Sequence, residues 1–265
     1  MLTLTYPAID PVLIEIGPFA IRWYALSYIA GILLAWRYMI WLARRSPAGI
    51  TKEHVDDFVV WATLGIVLGG RLGYVIFYKA GYYLQNPLEA LAVWQGGMSF
   101  HGGLLGVIFA VWLFCRRRGY SWIAVGDVVA CTAPVGLFLG RIANFINGEL
   151  YGRITDSPLG MVFPGGGPLP RHPSQLYEAV LEGLLLFLVL FWLARRTGTF
   201  EKRGLLSGVF LAGYAIGRAT AEFFRQPDAH IGFLAIGTTM GQWLSLPLFV
   251  IGVWLIVRAR RYDTA

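Results

Sequence analysis

Charged and amide side chains inside an otherwise apolar chain are the first candidates for chemistry, because each is costly to keep away from water. The segment GRIANFINGELYG, residues 140–152, follows an apolar run and gathers Arg141, Asn144, Asn147 and Glu149. If it is helical, Arg141, Asn144 and Asn147 occupy one side at three-residue steps. A guanidinium offers a planar fork that fits two phosphate oxygens, and an amide both donates and accepts. The plain alternative is a polar helix end with its caps and an Arg–Glu pair.

Four further groups are candidates, the last two on weaker grounds or without a legible partner. His101 lies in GGMSFHGG, residues 96–103, among glycines that permit close backbone approach. It has the chemistry of a general base, or equally of a hydrogen-bonded interfacial histidine. In GYAIGRATAEFFRQ, residues 213–226, Arg218 and Glu222 are four apart, so an intrahelical ion pair is the simple reading. Arg225 extends the basic stripe, and Arg141 and Arg218 could converge on one anionic group. Arg22-Trp23-Tyr24 reads first as an interfacial anchor. Arg71, inside GGRLGY, has no partner legible in the sequence.

Absences narrow the chemistry. There is no GxSxG elbow beside His101, no HExxH, no Walker motif and no Cys/His ligand set. Cys115 and Cys131 form no CxxC pair. A serine protease, a zinc enzyme and any metal site are thereby disfavoured, and no cofactor is called for. What remains is an anion site, suited to a lipid phosphate.

The elements that must position these groups are membrane spans. Of the 265 residues 57% are hydrophobic and 14% charged, about half the charge of a soluble domain. The net charge of +7 sits in short clusters between long apolar runs, which argues for topology determinants and against a nucleic-acid binder. The expected fold is an all-α integral membrane protein, one polytopic domain over 1–265. Its seven spans are expected near 18–43, 56–79, 99–115, 122–140, 174–194, 204–224 and 237–257. Six spans with a re-entrant segment is the alternative. The first 17 residues hold no Lys or Arg, so no signal peptide is evident.

One set of loops holds Arg44, Arg45, Lys52, Arg116, Arg117, Arg118, Arg195, Arg196, Lys202, Arg203, Arg258, Arg260 and Arg261. The opposite set holds only Arg141, Arg153, Arg171 and Arg225. That bias puts the first set in the cytoplasm, the N-terminus outside and the C-terminus inside. The polar groups then lie toward the outer side, together with a Gly/Pro-rich external segment over 141–173. No internal repeat of the kind common in secondary transporters is detectable.

These motifs carry a family resemblance. GRIANFINGELYG resembles the signature of bacterial prolipoprotein diacylglyceryl transferases, G-R-x-x-N-F-x-N-x-E-x-x-G, at every fixed position. RWYALSY, FHGGLLG, HPSQLYEA at 172–179 and GRATAEFFRQPD extend the agreement over nearly the full length. The resemblance implies a multi-pass enzyme of the bacterial cytoplasmic membrane. Such an enzyme moves the diacylglyceryl group of phosphatidylglycerol onto the lipobox cysteine thiol of a preprolipoprotein signal peptide and releases glycerol phosphate. By matching position it implies that Arg141 binds the phosphatidylglycerol headgroup and Arg218 helps hold the phosphate. Asn144, Glu149, Gly152 and Tyr24 would be essential, and Glu222 and Arg225 would shape the site. Asn147, Gly102 and Tyr214 would stand just behind it. His101 would draw the thiol proton, unless the arginine field alone ionises the thiol.

Two other classes compete on residues alone. A lipid or anion transporter would distribute ionisable groups through the membrane depth, and a scaffold would leave Arg141, Glu149, Arg218 and His101 unexplained.

Overall fold

The computed structural model describes residues 4–17, 19–93, 96–227 and 232–261. They form two compact units, Met1–Tyr38 with Asp127–Ala265, and Met39–Gly126. Among the described residues, five helices are long and apolar enough to cross a membrane. These are Trp23–Ala43 (α1), Lys52–Tyr78 (α2), Trp122–Ile146 (α5), the continuous helix Ser174–Ala194, and Met240–Arg261 (α9). Leu205–Ala221 (α8) is apolar but shorter, at 17 residues. Most lipid-type side chains on these helices face outward, as in α2, where Leu64, Leu68, Leu72 and Phe77 are exposed. A helix in hydrocarbon has every backbone bond satisfied within itself and needs no apolar shell of protein.

Several boundaries differ from those expected. The first span does not begin near residue 18: a hairpin of β1 (Val12–Ile16) and β2 (Phe19–Arg22) precedes α1. Gly17 turns it at φ +58°, and the β-branched Val12, Ile14, Ile16 and Ile21 suit the pleat. Pro18 itself lies outside the described residues. Helix α2 starts at Lys52 because Thr51 caps it, accepting from the His54 amide, with the His54 side chain returning to the Thr51 amide. Helix α5 runs beyond residue 140 to Ile146. It can do so because Arg141 and Asn144 have protein partners and need no water.

In the unit Met39–Gly126, α2 lies against α4 (Phe100–Arg118) through glycine. A Cβ on Gly102 would meet the Gly69 carbonyl, and one on Gly73 would lie 2.8 Å from the Gly102 Cα. Between them run the short helix α3 (Ala80–Gln85) and the 3₁₀ turn Pro87–Leu91. Arg71, 4% exposed, donates to four carbonyls there: Ala90 at 2.8 Å, Glu89 at 2.6 Å, Gly96 at 2.5 Å and Gly97 at 3.3 Å. Those carbonyls are the partner that the sequence left unread.

In the other unit, Ser174–Ala194 consists of α6 (Ser174–Glu178), a π-helical stretch Ala179–Leu185, and α7 (Leu186–Ala194). Gly183 brings it against Phe138 of α5, where a Cβ would come within 2.7 Å of the Phe138 Cβ. Gly217 lets α8 cross the same stretch beside Leu181 and Glu182. Asp127, buried on α5, accepts from the Gly204 and Ser207 amides, both at 2.7 Å, and so ties down the start of α8.

Beyond Ile146 the segment that leads to α6 has its own small core. Tyr6, Phe145 and Phe163 pack together with Tyr151, Met161 and Leu176 around them. Short bridges thread it: Leu4 with Met161, Ile154 and Met161 with Arg171, and Gly152 with Arg225.

Candidate functional site

The end of α5 is a Schellman cap. Gly148 takes φ +64°, its amide donates to the Phe145 carbonyl at 3.0 Å, and the Glu149 amide donates to the Asn144 carbonyl at 3.1 Å. Asn147 is therefore the cap residue and not a third member of a helical stripe. Its amide closes the last turn on Ala143 at 2.9 Å. The Tyr6 hydroxyl is shared between the same Phe145 carbonyl, at 2.7 Å, and the Ile146 carbonyl, at 3.0 Å. The Asn144 amide donates to Glu149 Oε1 at 2.7 Å. Glu149 thus engages Asn144, where the sequence left an Arg141–Glu149 pair open. Arg141 instead turns toward α6.

Arg141 and Arg218 come from different helices onto one carboxylate. Arg141 Nε lies 2.7 Å from Glu178 Oε2, and Arg218 NH1 donates to Glu178 Oε1 at 2.9 Å. Arg225 NH1 adds a third approach to Glu178 Oε1 at 3.5 Å. Arg218 also pairs with Glu222, the intrahelical partner expected at four residues. Glu182 lies 3.7 Å from Arg141 NH2, too far for a hydrogen bond, and both its oxygens are buried without one. Three guanidiniums and three carboxyls are thus gathered where two apolar spans and α8 meet. The arginine side chains are 12–18% exposed and those of Glu178 and Glu182 at most 1%.

A carboxylate approached by three guanidiniums, each through one nitrogen, is an anion position already built. The oxygens of a tetrahedral phosphate can accept from the same guanidinium donors, two at a time for each fork. The cavity beside the cluster, lined by Arg218, Glu222, Arg225, Thr239 and Gly241 among others, is about 30 Å³, about the volume of one water. A larger concavity of about 460 Å³ is lined by Leu4, Tyr6, Val162, Phe163 and other residues without charge. It lies between the N-terminal residues and the segment that follows α5, and carries none of the candidate chemistry.

The flanking chain is fixed by two more arginines. Arg153 donates to the Glu222 carbonyl at 2.8 Å and the Arg225 carbonyl at 3.0 Å. Arg171 donates to Gly166 at 2.7 Å and Gly152 at 3.2 Å. Glycine is needed at 152 because a Cβ there would strike the Phe224 carbonyl and lie 2.7 Å from the His172 Cβ. His172, with Tyr177 and Phe224 around its ring, has its pKa lowered, first by burial and then by the charge of Arg153.

The remaining candidates are distributed as follows. Tyr24 is the second residue of α1, its ring 5.2 Å from that of Tyr28. Tyr214 stacks on Phe210 one turn before Arg218. His101 and Gly102 open α4 in the unit Met39–Gly126, behind the Ser99 cap that accepts from the Gly102 amide. His101 is exposed. The residues that the sequence reading passed over are Glu178 and Glu182. Two carboxyls four apart inside an apolar span are as costly as an arginine there, so the signal was present.

The sequence profile of the prolipoprotein diacylglyceryl transferase family matches residues 11–258. A phosphatidylglycerol–prolipoprotein diacylglyceryl transferase of Paramagnetospirillum magneticum is 63% identical over 259 residues, covering 97% of this chain and 96% of the relative. The enzyme of the same name from Rhodospirillum rubrum is 62% identical over 263 residues, covering 98% and 96%. That from Azospirillum brasilense is 56% identical over 268 residues, with both chains covered in full.

Proposed function

Because the chain belongs to the prolipoprotein diacylglyceryl transferase family, we infer that it transfers the diacylglyceryl group of phosphatidylglycerol to a prolipoprotein, as a multi-pass membrane enzyme. The acceptor atom is the thiol sulfur of a lipobox cysteine. The sulfur bonds to the glycerol carbon that bears the phosphate, and the carbon–oxygen bond breaks. That oxygen keeps the electron pair and leaves as glycerol phosphate. Neither Cys115 nor Cys131 takes part, since the nucleophile belongs to the substrate.

The observation that carries the assignment of the site is the convergence of Arg141 and Arg218 on Glu178. The lipid phosphate takes the forks from the carboxylate, and the guanidiniums hold the charge that grows on the departing phosphate oxygen. Arg225 and Glu222 set the direction of Arg218, while Asn144 and Glu149 form the neighbouring hydrogen-bonding edge. Tyr24 and Gly152 complete the site, Gly152 through its close packing against Phe224 and His172. His101 takes the thiol proton. The chain crosses the cytoplasmic membrane seven times, N-terminus outside, with the site toward the outer leaflet; the clustering of basic residues supports this orientation.

The test is direct: purified protein, phosphatidylglycerol and a lipobox peptide, followed by mass spectrometry. A thioether-linked diacylglyceryl peptide is expected with phosphatidylglycerol and none with neutral diacylglycerol. Absence of the adduct from well-folded protein, or its formation from the neutral lipid, overturns the reading. For His101, the expected loss in His101→Gln is about 10²–10⁴-fold with an altered pH–rate profile. An unchanged acidic limb removes it from proton transfer.

A further inference from the structure

The turn carrying Glu149 is held in a conformation its sequence does not favour. Leu150 has φ +57°, a left-handed backbone that a leucine adopts only when its surroundings impose it. Gly148 two residues earlier accounts for its own positive φ, but nothing local accounts for that of Leu150. The constraint comes from the first turn of α6. Ser174 Oγ donates to the Leu150 carbonyl at 3.0 Å, and Gln175 Nε2 donates to the Glu149 carbonyl at 2.5 Å. Both side chains are fully buried, at 0% and 1% exposure. Gln175 Oε1 is buried without a partner, so the amide is retained at a cost, while its Nε2 serves the Glu149 carbonyl. Buried polar groups left half-satisfied are rare, so this one calls for an explanation.

The same turn of helix serves both ends of the motif. Gln175 and Glu178 are three residues apart on α6, one bonded to the backbone of Glu149 and the other to the guanidinium of Arg141. Helix α6 thereby sets the Glu149 carboxylate and the Arg141 fork against a common reference.

We propose that Ser174 and Gln175 are positioning residues for the transfer reaction, clamping the strained Glu149–Leu150 turn so that Glu149 stays registered with Arg141. The proposal rests on the site assignment above. It is tested by initial rates of peptide lipidation for Ser174→Ala and Gln175→Leu, using protein verified as monodisperse and inserted. Each is expected to lower kcat about tenfold to a hundredfold, the range of a small misplacement. The readout that a merely structural role would not move is the backbone conformation of residue 150. Leu150→Gly adopts the left-handed form freely, so it alone should change the rate less than about twofold and should recover activity in the Gln175→Leu background. Leu150→Val, being β-branched, should lower activity even with the clamp intact. Normal kcat in both clamp variants, or no recovery by Leu150→Gly, overturns the proposal. Glu149→Gln separates the two levels. Full activity there removes Glu149 from the site and the clamp with it, whereas an inactive Glu149→Gln beside fully active clamp variants defeats the clamp alone.

Discussion

Two regions each bury arginine within a membrane protein, and they satisfy it in opposite ways. In the unit Met39–Gly126, Arg71 gives its donors to four backbone carbonyls of one short stretch of chain. At the meeting of α5, α6 and α8, Arg141, Arg218 and Arg225 turn instead to side-chain carboxylates, chiefly Glu178. A carbonyl is part of the fold and cannot leave without unfolding the turn that bears it. A carboxylate can give up a fork to another anion while the backbone stays in place. Burial of an arginine is therefore not by itself the mark of a binding site; the nature of its partner is.

Among substitutions, Arg141 should show the strongest loss. Arg141→Lys keeps the charge but not the fork, and should cost about 10²–10³-fold in rate, the usual loss for one transition-state donor. Initial rates at matched levels of inserted protein measure it. A near-normal lysine variant would mean that charge alone suffices and that the contrast with Arg71 is empty.

Glu178→Gln comes next. The amide still fills the space but no longer anchors three guanidiniums, so kcat should fall by about tenfold through misplacement. KM for phosphatidylglycerol should stay level or drop, because the forks lose their internal competitor. A large rise in KM would show that the carboxylate supports lipid binding and does not compete with it.

Arg71→Gln should behave in the opposite sense. Stranding buried carbonyls costs about 1–3 kcal/mol, which appears as a lower unfolding temperature or faster proteolysis of the 79–97 stretch. Activity per folded molecule should remain within about twofold, since no fork that meets substrate is touched. A specific loss of kcat without loss of stability would erase the distinction between the two regions.

The smallest effect concerns His172, beside the site. Its folded pKa lies below the ordinary 6.5, first through burial and then through Arg153. The undocked segment therefore binds a proton more readily than the docked one, and stability rises with pH wherever that holds. Packing of residues 151–172 should be unaffected above neutrality and weaken as pH falls below about 6.5. Hydrogen exchange across that segment measures it. His172→Asn should flatten the dependence, and an equal dependence in that variant would place its origin elsewhere.

Much of the membrane architecture was legible in the chain itself. Long apolar runs separated by arginine clusters specify helices, because hydrocarbon leaves the backbone no other way to satisfy its hydrogen bonds along a single segment. The polar motifs were equally visible, since a costly residue in an apolar stretch announces itself. The Arg218–Glu222 pair followed from helical spacing alone. Sequence did not fix where α5 ends, since that depends on whether Arg141 and Asn144 find partners, and their partners arrive from elsewhere in the chain or from beyond the helix end.

The identity of those partners is settled by the packing of the helices. Glu178 becomes the meeting point of three arginines because Gly183 and Gly217 let α5 and α8 approach the same stretch. The left-handed Leu150 is set by two side chains of α6 more than twenty residues away in sequence. Arg71 is bound by carbonyls, which are chemically identical at every position and so leave no trace in a sequence. A one-dimensional pattern records which groups must be satisfied; only the packing of one helix on another settles which group satisfies which.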